Sequence, residues 1–268
     1  MLNHHRPLRV AVLCSRGAPG LLHLLNRAPG RGTDFEIVCC VTSEQTFAEE
    51  VRVERRGIPT RAHPIAEFYA ARGAASRRDL DVRAAYDAET LKFVEGYLPD
   101  ILLLDGYLYL VTARILDRFR HRVLNLHFAD LTFRASDGGP LFPGIRAVRA
   151  ALAAGAEETR ATVHLVDARL DAGPPIVCSW PYPVSPLVEE LRTFGVSDAF
   201  KAYAFAHEQW MMRTSSGPLV AAALRLVASG AIDLDALADA PGPPMPWLLD
   251  RQGLMMAPDV ELAAVGAR

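Results

Sequence analysis

The start of the chain is the feature that most limits its fold. Residues 8–14 form a nearly continuous apolar run, which is typical of a strand buried on both faces of a parallel sheet. A glycine-rich turn follows at 15–20, and a helical stretch begins directly afterwards, over 20–28. Because a strand, a glycine-rich turn and a helix in this order open a doubly wound α/β fold, this segment already favours that fold class.

The rest of the chain continues the alternation and then changes character. Strands alternate with helices up to residue 127, which predicts a parallel sheet. Beyond 130, a long loop with Gly-Pro turns precedes more strands, a long helical segment and a short strand pair. We therefore predict an α/β fold with a doubly wound, mostly parallel sheet, a C-terminal helical segment and a short strand pair. The predicted strands are 8–14, 35–42, 60–63, 101–104, 122–127, 161–166, 175–184 and the pair within 247–256; the predicted helices are 20–28, 44–56, 76–98, 112–119, 145–154 and 187–230, the last broken near 215–218.

Composition excludes several classes of function. The chain has 268 residues, half of them hydrophobic, and a formal net charge of −2, which argues against bulk disorder and against an overall attraction to nucleic acid. The apolar stretches are interrupted by Asp105 and Arg225, well short of the ~20 residues that a membrane helix needs. The four cysteines lack CxxC spacing and are expected to be buried free thiols in a reducing compartment. We expect a cytoplasmic protein that binds no nucleic acid and no membrane; its oligomeric state stays open, with a homodimer as one alternative.

The turn after the first strand has two interpretations. It reads Ser15-Arg16-Gly17-Ala18-Pro19-Gly20, which is neither a GxGxxG motif nor a P-loop. One interpretation is a tight connection between strand and helix. The other is a cradle of backbone N–H groups at a helix N-terminus, which suits a phosphate or a carboxylate. Pro19 removes one donor from such a cradle, and Arg16 offers a charge in its place.

Asn125 and His127 end the fifth predicted strand. Residues i and i+2 of a strand point to the same face, and ligands of open α/β sheets bind at the carboxyl ends of the strands. An asparagine can donate to a developing oxyanion, and a histidine can transfer a proton near neutral pH. A lone strand histidine is usually structural, but the neighbouring Asn125 favours a functional site.

A second group of polar residues follows on the next strand and its loop. Thr162 and His164 lie on the predicted strand, and Asp171 begins the turn 171–174. Asp171 is either a turn-forming residue or, if the loop folds over the edge that carries Asn125 and His127, the carboxylate that orients the imidazole. In the second case His164 would contact the catalytic side chains and help to position them.

Together these segments resemble the folate-dependent formyltransferases, and among them most closely the glycinamide ribonucleotide (GAR) formyltransferases. The resemblance rests on the Asn-x-His strand end at 125–127, on Phe142-Pro143-Gly144 and on the strand and loop 161–174, and it covers roughly residues 8–256. It implies a Rossmann-like formyltransferase fold and 10-formyltetrahydrofolate as co-substrate, without a metal. The site residues that it implies are Asn125, His127 and Asp171 for catalysis, Thr162 and His164 in support, Tyr107, Leu108, Tyr109, Leu110, Val166, Asp167 and Ala168 for the folate, and Ser15, Arg16, Gly17 and Arg146 for the acceptor.

The resemblance also implies a domain organisation. Residues 1–230 would form the catalytic domain, with a nucleotide-binding-like half at about 8–105 and a folate-binding, catalytic half at about 106–230. Residues 231–268 would form a tail that contains the strand pair 247–256.

Three departures from the family pattern concern the acceptor. The phosphate loop of the GAR enzymes is a Gly-Asn-Gly-Ser-Asn run, whereas 16–20 has neither Asn nor Ser. The histidine expected after Pro143-Gly144 is missing from 145–148, and the arginine expected in the pterin segment is Tyr109. We therefore expect formyl transfer to the primary amine of a small molecule, either GAR-like, as in purine biosynthesis, or specialised, such as an amino sugar or an N-hydroxyamine.

Two alternatives stay open. A formyltetrahydrofolate deformylase would use the same three residues with water in place of the amine. Deformylases carry an extra N-terminal regulatory domain, whereas only about seven residues precede the first strand here, so we expect transfer rather than hydrolysis. The second alternative is a non-catalytic folate- or nucleotide-binding module, which would be free to lose the three catalytic side chains.

Overall fold

The computed structural model describes residues 6–26, 34–74, 76, 78–242, 244–253 and 255–256. The strands are β1 (Leu8–Cys14), β2 (Phe35–Thr42), β3 (Thr60–Ala62), β4 (Ile101–Leu104), β5 (Val123–His127), β6 (Glu158–Thr159), β7 (Thr162–Leu165), β8 (Pro175–Cys178), β9 (Tyr182–Pro183), β10 (Trp247–Leu249) and β11 (Met255–Met256). The helices are α1 (Pro19–Asn26), α2 (Glu50–Glu54), α3 (Ile65–Ala71), α4 (Leu80–Glu95), α5 (Ala113–Arg118), α6 (Ala147–Ala153), α7 (Leu187–Thr193), α8 (Ser197–Ala228) and α9 (Leu234–Ala238).

Nine of the strands form one mixed sheet, in the order β11-β10-β8-β7-β5-β4-β1-β2-β3. β3, β2, β1, β4 and β5 are mutually parallel. β7 runs antiparallel to both β5 and β8, β10 is parallel to β8, and β10 and β11 form the expected antiparallel pair. The predicted fold class is therefore confirmed, with β7 as the strand that reverses the direction next to β5.

Both faces of the sheet are covered, as the unbroken apolar strands predict. Along β1, Val10 and Val12 pack on the side of α1 and α8. Ala11 and Leu13 pack on the opposite side, where α4 and α5 contribute Val94 and Ile115. The carboxyl ends of the parallel strands are left open between these two helical layers, which is where a ligand site is expected.

Several predicted boundaries are wrong. The helix predicted over 44–56 is confined to α2, α3 is an additional helix, and the strand predicted over 175–184 divides into β8 and β9. α4 begins at Leu80 rather than at 76, because the side chain of Asp79 caps it by accepting from the N–H groups of Asp81 and Val82. Residues 27 and 28, the predicted end of the first helix, lie outside the described residues.

The break predicted near 215–218 is also wrong. α8 continues through Pro218, and the interruption lies instead at 194–196, between α7 and α8. Pro218 removes one helical hydrogen bond, but the helix is buried here against α1. At Gly217 an added Cβ would lie 2.2 Å from the Cβ of His23, so close packing of the two helices maintains α8 through a residue that local sequence rules treat as a helix breaker.

The sequence also leads to expectations about the cysteines and about membrane-spanning helices. All four cysteines are buried and free. Across the described ranges, no helix has the length and apolar character that crossing a bilayer requires.

Candidate functional site

The last residues of β5 carry the centre of the site. β7 lies beside β5 in antiparallel register, so that Asn125 is opposite His164 and His127 is opposite Thr162. The alternation of side chains along the strands therefore brings Asn125, His127 and His164 to one edge of the sheet. Thr162 has a structural environment: its buried hydroxyl donates to the Ala129 carbonyl at 2.7 Å.

Asp171 reaches this edge because the loop after β7 folds back on the strand. An added Cβ at Gly173 would lie 1.9 Å from the Leu165 carbonyl oxygen, so only glycine allows this approach. Asp171 itself has a φ of 51°, a left-handed conformation that is uncommon for residues other than glycine. Backbone strain of this kind is found at sites where a side chain must be held in one place.

The side chains around Asp171 are close enough to act together. Asp171 Oδ2 lies 3.7 Å from His127 Nδ1 and accepts from the Gly144 N–H at 2.7 Å. Asp171 Oδ1 lies 3.5 Å from Asn125 Nδ2 and 3.8 Å from His164 Nε2. The carboxylate thus faces all three of the other polar side chains.

A backbone carbonyl positions the other end of the imidazole. His127 Nε2 donates to the carbonyl of Phe142 at 3.1 Å. The ring is consequently placed between this carbonyl and the carboxylate of Asp171, with an acceptor near each nitrogen. The Phe142–Gly144 segment contacts both residues of the pair, so the loop after β5 is part of the site.

His164 is a neutral group that orients Asn125. Burial, reinforced by the neighbouring His127, lowers the pKa of His164 to about 4. Its Nδ1 donates to the Leu165 carbonyl at 2.9 Å, so in the neutral ring Nε2 is an acceptor. Asn125 Nδ2 lies 3.1 Å from that nitrogen and donates to it, which directs the amide N–H groups towards His164 and Asp171.

These residues open on a cavity of about 400 Å³. Its wall includes the segment after β4 and the segment after β7, which together hold every residue predicted to bind the folate. The cavity-lining residues from that prediction are Tyr107, Leu108, Tyr109, Leu110, Val166, Asp167 and Ala168.

Two of the cavity-lining residues that were not predicted come from α8, far along the chain from the rest of the wall. Glu208 and Met212 reach the cavity from α8, one helical turn apart, and burial raises the pKa of Glu208. Nothing in the local sequence distinguishes them from other residues of a half-buried helix. The i, i+4 spacing shows only that both lie on the same helical face.

A buried ion pair on α4 holds the segment after β4. Arg83 Nε donates to the Leu110 carbonyl at 2.8 Å, and its Nη2 donates to the Tyr107 hydroxyl at 2.6 Å. Asp87 accepts from the Thr112 N–H at 2.7 Å and lies 3.3 Å from the Arg83 guanidinium. α4 therefore holds the segment after β4 at three groups, which are the Tyr107 hydroxyl, the Leu110 carbonyl and the Thr112 N–H.

The residues predicted to bind the acceptor do not line this cavity. Ser15 is fully buried; its hydroxyl is hydrogen-bonded to that of Ser43 and accepts from the Leu108 N–H. Gly17 is half-buried, and Arg16 and Arg146 are exposed. The structure thus places the predicted catalytic and folate-binding residues around one cavity, whose described lining includes none of the four residues predicted to bind the acceptor.

Comparison with known proteins agrees with this geometry. The family model described as formyl transferase matches residues 8–193. The chain is 32% identical over 180 residues to a phosphoribosylglycinamide formyltransferase of Mycobacterium tuberculosis, covering 66% of this chain and 72% of that protein. It is 30% identical over 169 residues to a formyltetrahydrofolate deformylase of Escherichia coli O6:H1, covering 63% of this chain and 52% of the deformylase.

Relatives of other lengths share the same region. The chain spans 12% of a trifunctional purine biosynthetic protein, adenosine-3, of Drosophila melanogaster. Among solved structures, glycinamide ribonucleotide transformylase 1 of Symbiobacterium toebii matches with a TM-score of 0.62 and 27% identity, over 85% of this chain and 90% of that one. With the family model matching more than half of its residues, the chain belongs to the formyl transferase family.

Proposed function

We propose that this protein transfers the formyl group of 10-formyltetrahydrofolate to the primary amine of a small molecule. The observation that carries the proposal is the convergence of Asn125, His127 and Asp171 at one side of the cavity, in a chain of the formyl transferase family. These are the three residues that the family resemblance assigns to catalysis.

The size of the cavity supports a small-molecule co-substrate such as a folate. Its volume of about 400 Å³ lies within the ~300–1,000 Å³ of typical small-molecule sites. In the proposed complex, the pterin lies against the segments after β4 and β7, and the co-substrate supplies the formyl carbon. The residues that would bind it are Tyr107, Leu108, Tyr109, Leu110, Val166, Asp167 and Ala168.

Asn125 and His127 would stabilise the developing negative charge. When the amine adds to the formyl carbon, the carbonyl oxygen gains charge, and donors placed in advance at that position lower the barrier. The donors would be the Asn125 N–H that faces Asp171 at 3.5 Å and the His127 N–H that faces Asp171 at 3.7 Å, both of which would turn from these long contacts to the oxyanion. His164 holds the amide of Asn125 with its N–H groups on the side of Asp171.

Asp171 would direct the proton transfers. Its carboxylate, 3.7 Å from His127 Nδ1, would orient the ring and take, through water, the proton that the attacking amine loses. A C–N bond forms to the acceptor, the C–N bond to the folate breaks, and the leaving nitrogen takes up a proton. The products are the formylated amine and tetrahydrofolate.

Hydrolysis is the second candidate function. The deformylase relative, at 30% identity, favours it because the same three side chains could direct water to the formyl carbon. The products would then be formate and tetrahydrofolate.

Product analysis tests the proposal. The protein is incubated with 10-formyltetrahydrofolate and a panel of amines, and formylated amine and formate are quantified, with His127→Ala as the inactive control. We expect amine-dependent formation of the formylated product. Formate alone, independent of any amine, would show a deformylase, and no turnover at all would show a binding module.

A further inference from the structure

We propose that the acceptor of this enzyme carries no phosphate group. The inference rests on the proposed function and names the chemical class of its second substrate. Its basis is the turn between β1 and α1 with the start of α1, where the N–H groups of Ala18, Gly20 and Leu21 are already bound to carboxyl groups of the chain itself.

The backbone N–H groups at the end of the turn and the start of α1 have partners within the fold. The Ala18 N–H donates to Glu49 Oε2 at 2.8 Å, and residue 19 is a proline without an N–H. The Leu21 N–H donates to Asp105 Oδ2 at 2.7 Å, and the Gly20 N–H is directed to the same carboxyl group. The Leu22 N–H donates within the helix, to the Ala18 carbonyl. From residue 18 to residue 22, every donor is therefore either occupied or missing.

Both carboxyl groups are built into the fold. Asp105 is completely buried and Glu49 is 7% exposed. The turn is also packed tightly against the segment after β4, because an added Cβ at Gly106 would lie 2.4 Å from the Gly17 carbonyl oxygen. A phosphate would have to expel Glu49 from a buried position, at a considerable cost in free energy.

The two buried carboxyl groups beside the turn also oppose an anion, whereas the cation of the turn, Arg16, is exposed. Burial raises the pKa of Asp105 to about 7, and the nearby charge of Glu49 acts in the same direction. A dianionic phosphate placed next to these two groups would add to the same repulsion.

The cavity shows the same preference. Acidic residues Asp167, Asp171 and Glu208 line it, and Arg169 is the one Lys or Arg side chain among its described lining residues. Arg169 is already paired with Asp167 at 3.1 Å. Among these described lining residues, no unpaired Lys or Arg is therefore available to bind a phosphate of the acceptor.

Matched pairs of acceptors test this inference. We would measure kcat/KM with 10-formyltetrahydrofolate for GAR against its dephosphorylated form, glycinamide riboside, and for glucosamine 6-phosphate against glucosamine. We expect the kcat/KM of the phosphate-free member of each pair to equal or exceed that of the phosphorylated member, to within about threefold. A preference of tenfold or more for the phosphorylated member would overturn the inference.

Direct binding separates failure of the inference from failure of the proposed function. If none of the four amines is formylated, calorimetric titration with GAR and with the riboside still decides the point. Tight binding of GAR that is lost with its phosphate would overturn the inference. Equal or undetectable binding of both compounds supports it, while amine-independent formate release would overturn only the proposed transfer.

A variant should create the phosphate site that the wild type lacks. Glu49→Ala combined with Pro19→Ser frees the Ala18 N–H and restores the missing donor. Circular dichroism checks the folding of this variant. We expect it to bind inorganic phosphate, seen as broadening of the ³¹P signal. We also expect the ratio of kcat/KM values to shift at least tenfold towards the phosphorylated acceptor. Glu54→Ala, at the exposed end of α2, the short helix that Glu49 precedes, is the control and should match the wild type. Equal phosphate binding by the wild type, the control and the double variant would contradict the proposal.

Discussion

At the scale of single residues, the site depends on one buried histidine that does not face the reaction itself. His164 is 1% exposed, and its neutral ring accepts from Asn125. The side-chain amide of an asparagine can adopt two orientations, which exchange the positions of its oxygen and its N–H groups. Only a neutral His164 favours the orientation with the N–H groups towards Asp171. The protonation state of His164 thus selects which end of the Asn125 amide faces Asp171, the end that the proposed mechanism uses as a donor.

The proposed catalytic roles predict the size of two rate changes. We expect His127→Ala to lower kcat by ~10²–10⁴-fold, as for a lost general acid or base. Asn125→Ala should lower it by ~10²–10³-fold, as for a lost oxyanion donor. His164→Ala should cost less than either, because it acts through Asn125. Initial rates of 10-formyltetrahydrofolate turnover check this, with exposed Arg120→Ala as the control; a near-wild-type rate for either catalytic variant would refute the assigned role.

The lowered pKa of His164 predicts a pH dependence of stability. Its folded pKa of about 4 lies below its value of ~6.5 in an unfolded chain, so the unfolded state takes up the proton first as pH falls. The contribution of His164 is complete above pH ~6.5 and is lost progressively down to pH ~4. A difference of this size corresponds to about 3 kcal/mol.

Urea unfolding at a series of pH values measures this effect. His164→Gln keeps a hydrogen-bonding side chain but cannot titrate. Between pH 7 and pH 4, the wild type should lose more unfolding free energy than the variant does. His63, whose pKa burial also lowers to about 4, contributes equally to both proteins and cancels in the difference. Parallel curves would show that His164 is not buried in its neutral form.

At the scale of elements, α4 determines the shape of the cavity without lining it. The Arg83–Asp87 pair lies on adjacent turns of α4 and is almost completely buried. It satisfies backbone groups at Leu110 and Thr112, which belong to a segment that has neither helix nor strand. The helix therefore supplies the hydrogen bonds that such a segment cannot make within itself.

Breaking this pair should destabilise the protein more than replacing it. Arg83→Met leaves Asp87 buried without its cation, which typically costs ~3–5 kcal/mol. The double variant Arg83→Met with Asp87→Leu should recover part of that loss. Urea unfolding measures both effects, and the KM for 10-formyltetrahydrofolate should rise in each variant because the cavity wall loses its anchors. A double variant less stable than Arg83→Met would contradict the prediction.

At the scale of the whole molecule, two helices distant in sequence pack closely on one face of the sheet. α1 follows the first strand and α8 is the long C-terminal helix, and they meet where Gly217 faces His23. Gly20 of α1 is equally restricted, since an added Cβ would lie 2.8 Å from Val220. This contact connects the turn after β1 to the helix that brings Glu208 to the cavity.

The contact predicts the sign of a helix substitution. Alanine is normally better than glycine in a helix by roughly 0.5–1 kcal/mol, but overpacking typically costs ~1–3 kcal/mol. At Gly217 the obstacle is the Cβ of His23, which cannot rotate away, so Gly217→Ala should lower the unfolding free energy. Gly96→Ala is the control, because its nearest neighbour would be the Phe93 carbonyl oxygen at 3.4 Å. Thermal unfolding of both variants checks the prediction, and a Gly217→Ala protein at least as stable as the wild type would contradict it.

The sequence by itself determines the features that follow from local periodicity. Continuous apolar runs identify β1, β2 and β4 as strands covered on both faces, and the alternation with helices defines the fold class. The i, i+2 spacing within β5 places Asn125 and His127 on the same face without any knowledge of the tertiary structure. Local pattern is sufficient here because the strand geometry repeats every two residues.

Only the tertiary structure decides which distant groups meet. Asp171 reaches His127 because Gly173 packs on the Leu165 carbonyl, and Glu208 enters the cavity from a helix with no local signal. An anion cradle is one of two interpretations of the turn at 15–20, yet Glu49 and Asp105 accept from the N–H groups of Ala18 and Leu21. A donor or acceptor is satisfied by whichever partner the folded chain places beside it, and that partner can come from any point along the sequence.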